Sequence, residues 1–144
     1  MKPDELIAKL DDARIAEAIA AAEKKGTGEI RVCISHRQRD DPLAAARERF
    51  HKLRMDRTKR RNAVLIYFVP LTRRFAVYGD IGVHEQCGEE FWRGLVEGMK
   101  PRLQEGQYTE AIVFAVGQVG ELLARHFPPD PSDRKELSNR VVND

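Results

Sequence analysis

The stretch RRNAVLIYFVPLTRRFAVYGD, residues 60–80, decides the fold. Its first apolar run, Ala63–Val69, is rich in β-branched and aromatic residues and predicts an interior strand. Residues 70–72 form a short connector, so residues 74–78 are expected to return antiparallel beside that strand. The stretch therefore predicts a β-hairpin whose open end carries polar residues, namely Arg60, Arg61, Asn62 and Asp80.

A strand and a helix are predicted before this hairpin. Residues 28–36, GEIRVCISH, alternate Ile30, Val32 and Ile34 with other side chains, which is typical of a strand. Asp41-Pro42 predicts the start of a helix, because aspartate caps free amides and proline suits the first helical position. A strand, a helix and a second strand in this order predict a βαβ unit with parallel strands.

Apolar residues at helical spacing predict three further helices, over residues 11–25, 85–103 and 109–127. The predicted fold class is α/β, a three-layer α/β/α sandwich on a small mixed β-sheet made of one βαβ unit plus an antiparallel hairpin. Residues 1–128 are predicted to form a single domain. Residues 129–144 are predicted to be a polar C-terminal tail.

Composition narrows the function classes. The chain has 144 residues, 25 Lys and Arg against 23 Asp and Glu, and a formal net charge of +2, so no nucleic-acid partner is expected. The longest apolar run is too short to span a bilayer, and the acid-interrupted start MKPDELIAKLDDA does not resemble a signal peptide. Two cysteines do not make a disulfide framework. A cytoplasmic location is therefore expected.

The predicted topology gathers polar residues at one edge of the sheet. The first two strands start there and the third ends there, so Glu29, Asn62 and Asp80 are expected to be neighbours. Carboxylate and amide oxygens suit Ca²⁺ or Mg²⁺, and three protein ligands predict a weak site. The alternative is that Asp80 caps the following turn while Glu29 pairs with Arg61 or a nearby arginine. Asp40 and Asp41, at the opposite edge, are the second candidate location.

The same edge carries cations. Arg60 and Arg61 are predicted to bind an anion such as phosphate or a lipid headgroup, although a basic run of this kind is more often a solvated loop. No catalytic residue is assigned. Cys33 and Cys87 each precede an arginine by six positions, as in cysteine phosphatases, but neither is followed by a glycine-rich loop that binds phosphate oxygens. Cys33 is interpreted as a small buried residue.

Several stretches together resemble the TPM domain family, most of all its short, soluble bacterial branch. They are AIAAAEKKGTGEIRVCIS at 18–35, DPLAAARERFHKLRMDRTKRRNAVLIYFV at 41–69 and RRFAVYGDIGVH at 73–84, followed by FW at 91–92 and HFP at 126–128. The resemblance spans most of the chain and implies an α/β/α sandwich. It also implies weak acid-phosphatase activity or calcium binding in some members, while many members have no assigned activity.

Two functional hypotheses remain open. The favoured one is a TPM-like non-catalytic interaction module whose charged sheet edge docks a membrane or envelope protein partner and binds a divalent cation weakly. The alternative is a weak metal-assisted acid phosphatase that acts on small phosphate esters. In that case Glu29 and Asp80 would hold the ion and Arg61 would steer the phosphate.

Overall fold

The structure, a computed structural model, describes residues 3–87 and 89–144. Its strands are β1 Glu29–Ile34, β2 Ala63–Val69, β3 Arg74–Gly79 and β4 Val142–Asn143. Its helices are α1 Pro3–Lys9, α2 Asp12–Glu23, α3 Pro42–Lys52, α4 Ile81–Gln86, α5 Glu89–Gln104 and α6 Tyr108–His126, with a 3-10 turn at Met55–Arg57.

The strands form one mixed sheet in the order β3-β2-β1-β4. β1 and β2 are parallel, with Glu29 opposite Ala63, and α3 lies between them in the chain. β2 and β3 are antiparallel, with Val64 opposite Gly79. The predicted βαβ unit and hairpin are therefore confirmed.

Side chains that alternate along the strands divide the core into two layers. Ile30, Val32 and Ile34 point into the larger core, which also contains apolar residues of α2, α5 and α6. The opposite faces of β1 and β2 pack against α3 and the 3-10 turn, and this smaller core contains Cys33, Leu65, Tyr67, Phe50 and Met55. Because helices cover both faces of the sheet, the predicted three-layer α/β/α sandwich is confirmed.

Local signals predicted most helix ends correctly. The side chains of Asp11 and Asp41 accept hydrogen bonds from backbone amides in the first turns of α2 and α3, at 3.0 Å and 3.1 Å. The helix predicted over 85–103 is instead two helices, because Cys87 between them has an extended backbone. α1 was not predicted from the sequence.

Residues 129–144, which the sequence indicated as a polar tail, pack along the sheet. Val142 and Asn143 pair in parallel with Cys33 and Ile34, so β4 covers the outer edge of β1. Leu137 packs against the smaller core. None of the helices in the described residues, 3–87 and 89–144, has the length and apolar character needed to cross a membrane.

Candidate functional site

One end of the sheet carries the three residues predicted to bind a cation. Glu29 begins β1, Asn62 precedes β2 and Asp80 follows β3, and all three are buried, with 2%, 1% and 4% of their surface exposed. The backbone amide of Asp80 donates to the carbonyl of Ala63 at 2.9 Å. The structure therefore brings these residues to the same end of the sheet, where their side chains have separate partners.

Asp80 pairs with Arg61 and caps α4. Arg61 Nε lies 2.6 Å from Asp80 Oδ2 and its Nη2 lies 2.8 Å from Oδ1, the two-bond geometry typical of strong arginine–carboxylate pairs. The amide of Ile81 donates to Oδ1 at 2.8 Å. The carboxylate is only 5% exposed, whereas the Arg61 side chain is 47% exposed. Asp80 therefore has a cation and a helix amide as partners within the chain.

The backbone around this pair requires a glycine. Arg61 has a φ of 51°, in the left-handed region, which turns its carbonyl toward α4. The amide of Gly82 donates to that carbonyl at 2.9 Å. A Cβ atom at position 82 would lie 2.5 Å from the same oxygen, closer than atoms can approach. Gly82 thus permits the contact that brings Arg61 to Asp80.

Glu29 is held by the C-terminal segment. Its Oε1 accepts the backbone amides of Glu136 and Leu137 at 2.6 Å and 2.7 Å. Burial raises the pKa of Glu29, and these two hydrogen bonds offset part of that rise. The interpretation that paired Glu29 with an arginine is therefore wrong in its choice of partner, since backbone amides take that place.

Glu23 is a third buried carboxyl group at this end and was not predicted from the sequence. Its side chain accepts the amide of Ile30 at 2.9 Å, and the residue is 4% exposed. Burial raises its pKa to about 7, and the hydrogen bond from Ile30 and the charge of Lys135 oppose the rise. The sequence does carry a signal for the burial of Glu23, because this residue follows Ile19 by four positions on the apolar stripe of α2.

The cations predicted to bind an anion already face carboxylates of the chain. Arg60 lies 2.7 Å from Asp130 and 3.8 Å from Asp133, and Arg61 lies 2.6 Å from Asp80. Lys135, in the same C-terminal segment, donates to the carbonyl of Gly26 at 2.8 Å. An external anion at Arg60 or Arg61 would therefore compete with an internal carboxylate.

Metal-ligating side chains do not converge in the part of the chain that the structure describes. Within residues 3–87 and 89–144, no three His, Cys, Asp or Glu residues lie together in a way that suits a metal ion. A cation bound by Glu29, Asn62 and Asp80 would have to displace Arg61 and compete with backbone amides. Weak Ca²⁺ or Mg²⁺ binding at this end remains a prediction.

The opposite end of the sheet has its own buried carboxylate, that of Asp144, which was not predicted from the sequence. Asp144 Oδ2 accepts from Arg49 Nε and from the hydroxyl of Tyr67, both at 3.0 Å. Burial raises the pKa of Asp144, but hydrogen bonds from Ser35 and Tyr67 and the charges of Arg49 and Arg39 outweigh it and hold the pKa below its usual range. This cluster anchors β4 to α3.

The two aspartates predicted for that end have local roles. Asp41 caps α3 through the amide of Ala44, and Asp40 accepts a hydrogen bond from Gln38 at 3.1 Å. The second candidate location for a cation therefore has one of its carboxylates engaged with a helix amide.

The cysteines have environments that disfavour nucleophilic chemistry. Cys33 is fully buried, and burial, with a smaller contribution from Asp144, raises the pKa of its thiol to about 12. Burial also raises the pKa of Cys87. The thiolate is the reactive form, so a raised pKa suppresses it. The interpretation of Cys33 as a small buried residue is confirmed.

The outer edge of β3 has no strand beside it in the described part of the chain. Within residues 3–87 and 89–144, β3 has β2 as its only neighbouring strand. Two adjoining cavities of about 750 Å³ and 520 Å³ lie along it, between α3 on one side and α4 and α5 on the other. We call this feature the β3 groove, and its apolar lining comprises Leu43, Phe75, Val77, Trp92, Val96 and Leu103.

The β3 groove combines exposed apolar side chains with basic ones. Leu43 is 55% exposed and Val96 is 46% exposed, which is unusual for large aliphatic residues that face each other across a groove. Arg47, Arg74 and Lys100 also line it and are exposed. No local pattern in the sequence predicts this groove, because its two walls come from helices that are far apart in the chain.

The chain matches a known protein family and resembles a solved structure over most of its length. Residues 1–122 match the model of the TPM domain. The NMR structure of BA42 protein from the psychrophilic bacterium Bizionia argentinensis is similar to this chain, with a TM-score of 0.86 and 32% identity over 94% of this chain and 96% of that one. No curated protein matches the sequence.

Two more distant structures share the fold alone. The N-terminal domain of a protein from P. gingivalis has a TM-score of 0.59 and 16% identity, covering 85% of this chain and 91% of that one. The N-terminal domain of cg2496 protein from Corynebacterium glutamicum has a TM-score of 0.63 and 12% identity, covering 90% and 82%.

Proposed function

The chain belongs to the TPM domain family, and from that premise we propose that it is a non-catalytic interaction module that binds an extended segment of a partner protein along the β3 groove. The observation that carries the proposal is the open edge of β3 beside the exposed side chains of Leu43 and Val96. A sheet edge offers unpaired backbone donors and acceptors, and the apolar walls supply surface that a partner can bury.

The contacts at the polar end of the sheet favour binding over catalysis. A phosphatase needs an activated nucleophile or a water activated by a metal. The carboxylate of Asp80 is paired with Arg61, and that of Glu29 holds two backbone amides. Recruiting either group for catalysis would first require breaking contacts that support the fold, so the phosphatase remains the second hypothesis.

The partner class that we favour is a protein of the membrane or envelope. An extended segment of such a protein, in a loop or at a terminus, can reach a groove that is open along its length. A groove formed by a strand and two helices selects a segment for its shape and side-chain pattern. This chemistry needs no cofactor.

Site-specific photocrosslinking in cells tests the proposal. A photoreactive amino acid at position 96 or 43 should form an adduct with one other protein, and the same amino acid at the exposed position 121 on α6 should not. The identified protein, purified, should bind the parent chain and should bind Val96→Asp at least ten-fold more weakly.

The proposal is wrong if positions 43 and 96 give the same adducts as position 121, or if the purified protein binds parent and variant equally. An adduct between two copies of this chain would also contradict it, because the groove would then be a self-association surface. A folded Val96→Asp is expected because Val96 is 46% exposed.

A further inference from the structure

We infer that the segment bound in the β3 groove is an acidic strand that extends the sheet. Its carboxylates contact the basic rim of the groove, formed by Arg47, Arg74 and Lys100, and its apolar side chains pack against the walls. This inference rests on the proposed function and adds the chemistry of the partner to it. It follows from three features of the groove, which are the direction of the β3 backbone groups, the composition of the walls and the charge of the rim.

The backbone of β3 presents a set of free groups at regular spacing. The amide of Asp80 donates to Ala63, which lies opposite it, and this pair starts the antiparallel ladder between β2 and β3. Pairs in such a ladder alternate between hydrogen-bonded and non-hydrogen-bonded. The backbone groups of Phe75 and Val77 therefore point away from β2, toward the groove, where an added strand can pair with them.

The walls match the two faces of such a strand. Successive side chains of a strand point to opposite faces of the sheet. One face of a strand added to β3 meets Leu43 on α3, and the other meets Trp92 and Val96 on α5. Both walls are apolar, so apolar residues on either face of the bound segment gain burial while backbone pairing sets their register.

The rim sets the charge of the partner. Arg47 on α3 and Arg74 on β3 line the groove and are exposed, and Lys100 on α5 lines it while paired with Glu97 at 2.8 Å, whereas Asp41 is the carboxylate that lines both cavities. An acidic segment complements this excess of cations. A second copy of the chain is a poor occupant, because two β3 edges would bring two sets of these cations together.

Peptide binding measured by amide chemical shifts tests the inference on the whole chain. The probe is a capped nine-residue peptide with three valines at its centre and three glutamates at each end, and its control has lysine in place of every glutamate. The glutamate peptide should bind at least ten-fold more tightly, and the amides of Phe75 and Val77 should shift most and exchange more slowly with solvent. A version with proline at its centre should bind more weakly, because proline removes a backbone donor.

Matched variants of the chain locate the site. Val96→Glu should weaken binding of the glutamate peptide at least ten-fold, whereas Ile81→Glu should not, because Ile81 is 53% exposed but lies outside the groove lining. Arg74→Glu should shift the preference toward the lysine peptide. Arg74→Glu tests the inference even if Val96→Glu fails to fold.

Three outcomes would overturn the inference: no shift at residues 75 and 77, equal affinity for both peptides, or equal weakening by Val96→Glu and Ile81→Glu. If a purified partner still depends on Val96 while the glutamate peptide does not bind, the interaction module stands and its acidic-strand partner is wrong. If neither binds the groove, both proposals fail.

Discussion

The guanidinium of Arg61 holds the carboxylate of Asp80 through two hydrogen bonds, at 2.6 Å and 2.8 Å, across a sequence separation of 19 residues. The pair joins the turn before β2 to the first turn of α4. Because it neutralises the buried carboxylate from within the chain, the polar end of the sheet is held together before any ligand arrives.

Calcium should bind this end of the sheet with millimolar or weaker affinity. The ion must displace Arg61 from Asp80, and Glu29 already accepts two amides, so few oxygens are available. Asp80→Asn should abolish any calcium response near residue 80 without unfolding the protein. Calorimetry and amide chemical shifts measure both effects. Micromolar affinity, or a response centred on Asp40 and Asp41, would contradict the prediction.

Gly82→Ala should destabilise the protein, whereas Gly94→Ala should stabilise it. A Cβ at position 82 would lie 2.5 Å from the carbonyl oxygen of Arg61, while nothing lies within 4 Å of one at position 94. Gly94 is inside α5, where alanine is favoured over glycine by about 0.5–1 kcal/mol. Urea unfolding of the two variants gives the comparison. Equal effects would show that the approach of α4 to the turn at Arg61 is not tight.

Glu23→Gln should flatten the dependence of stability on pH between about 4.5 and 7. The pKa of Glu23 is raised from 4.5 to about 7 in the folded protein, so the folded state binds more protons than the unfolded state in this window. Stability therefore falls as pH rises, by at most about 3–4 kcal/mol from this group. Glutamine retains an acceptor for the amide of Ile30 and carries no charge.

Denaturant unfolding of the parent and of Glu23→Gln at several pH values measures this slope. Some slope should remain in the variant, because the pKa of Glu29 is also raised and acts in the same direction. Identical slopes in the two proteins would show that Glu23 does not titrate in this window.

Leu65→Ala should reduce the free energy of unfolding by about 2–5 kcal/mol, the usual cost of a cavity in a packed core. Leu65 is fully buried in β2, opposite Tyr78 of β3. The control is Leu71→Ala in the hairpin connector, where the side chain is 47% exposed and the change should stay within about 0.5 kcal/mol. Similar costs at the two positions would contradict the packing of the hairpin.

Neither cysteine should react quickly with iodoacetamide in the native protein at pH 8. The pKa of Cys33 is raised to about 12 and that of Cys87 is also raised, so little thiolate is present. Both should react in urea. If the native protein hydrolyses a phosphate ester, replacing both cysteines with alanine should leave the rate within a few-fold. Complete loss of turnover in a folded double variant would show that a thiol is the nucleophile.

Local patterns in the sequence were enough to predict the sandwich. The alternation of Ile30, Val32 and Ile34 and the apolar run of β2 reflect the period of a strand, and the short connector dictates an antiparallel return. Parallel pairing of β1 and β2 then follows from the helix between them. These rules also placed Glu29, Asn62 and Asp80 at one end of the sheet, because each lies next to a strand end.

What the sequence left open was the partner of each polar group, and tertiary structure decided it. Glu29 accepts amides from residues more than 100 positions away, and the buried Glu23 accepts the amide of Ile30 in β1 and interacts with the charge of Lys135 in the C-terminal segment. The supposed tail contributes the edge strand β4 for the same reason, since the segment is held by backbone pairing, ion pairs and isolated apolar contacts such as that of Leu137, which show no hydrophobic period. The β3 groove likewise exists only once α3 and α5 pack on opposite faces of the sheet, because its two walls are assembled from distant parts of the chain.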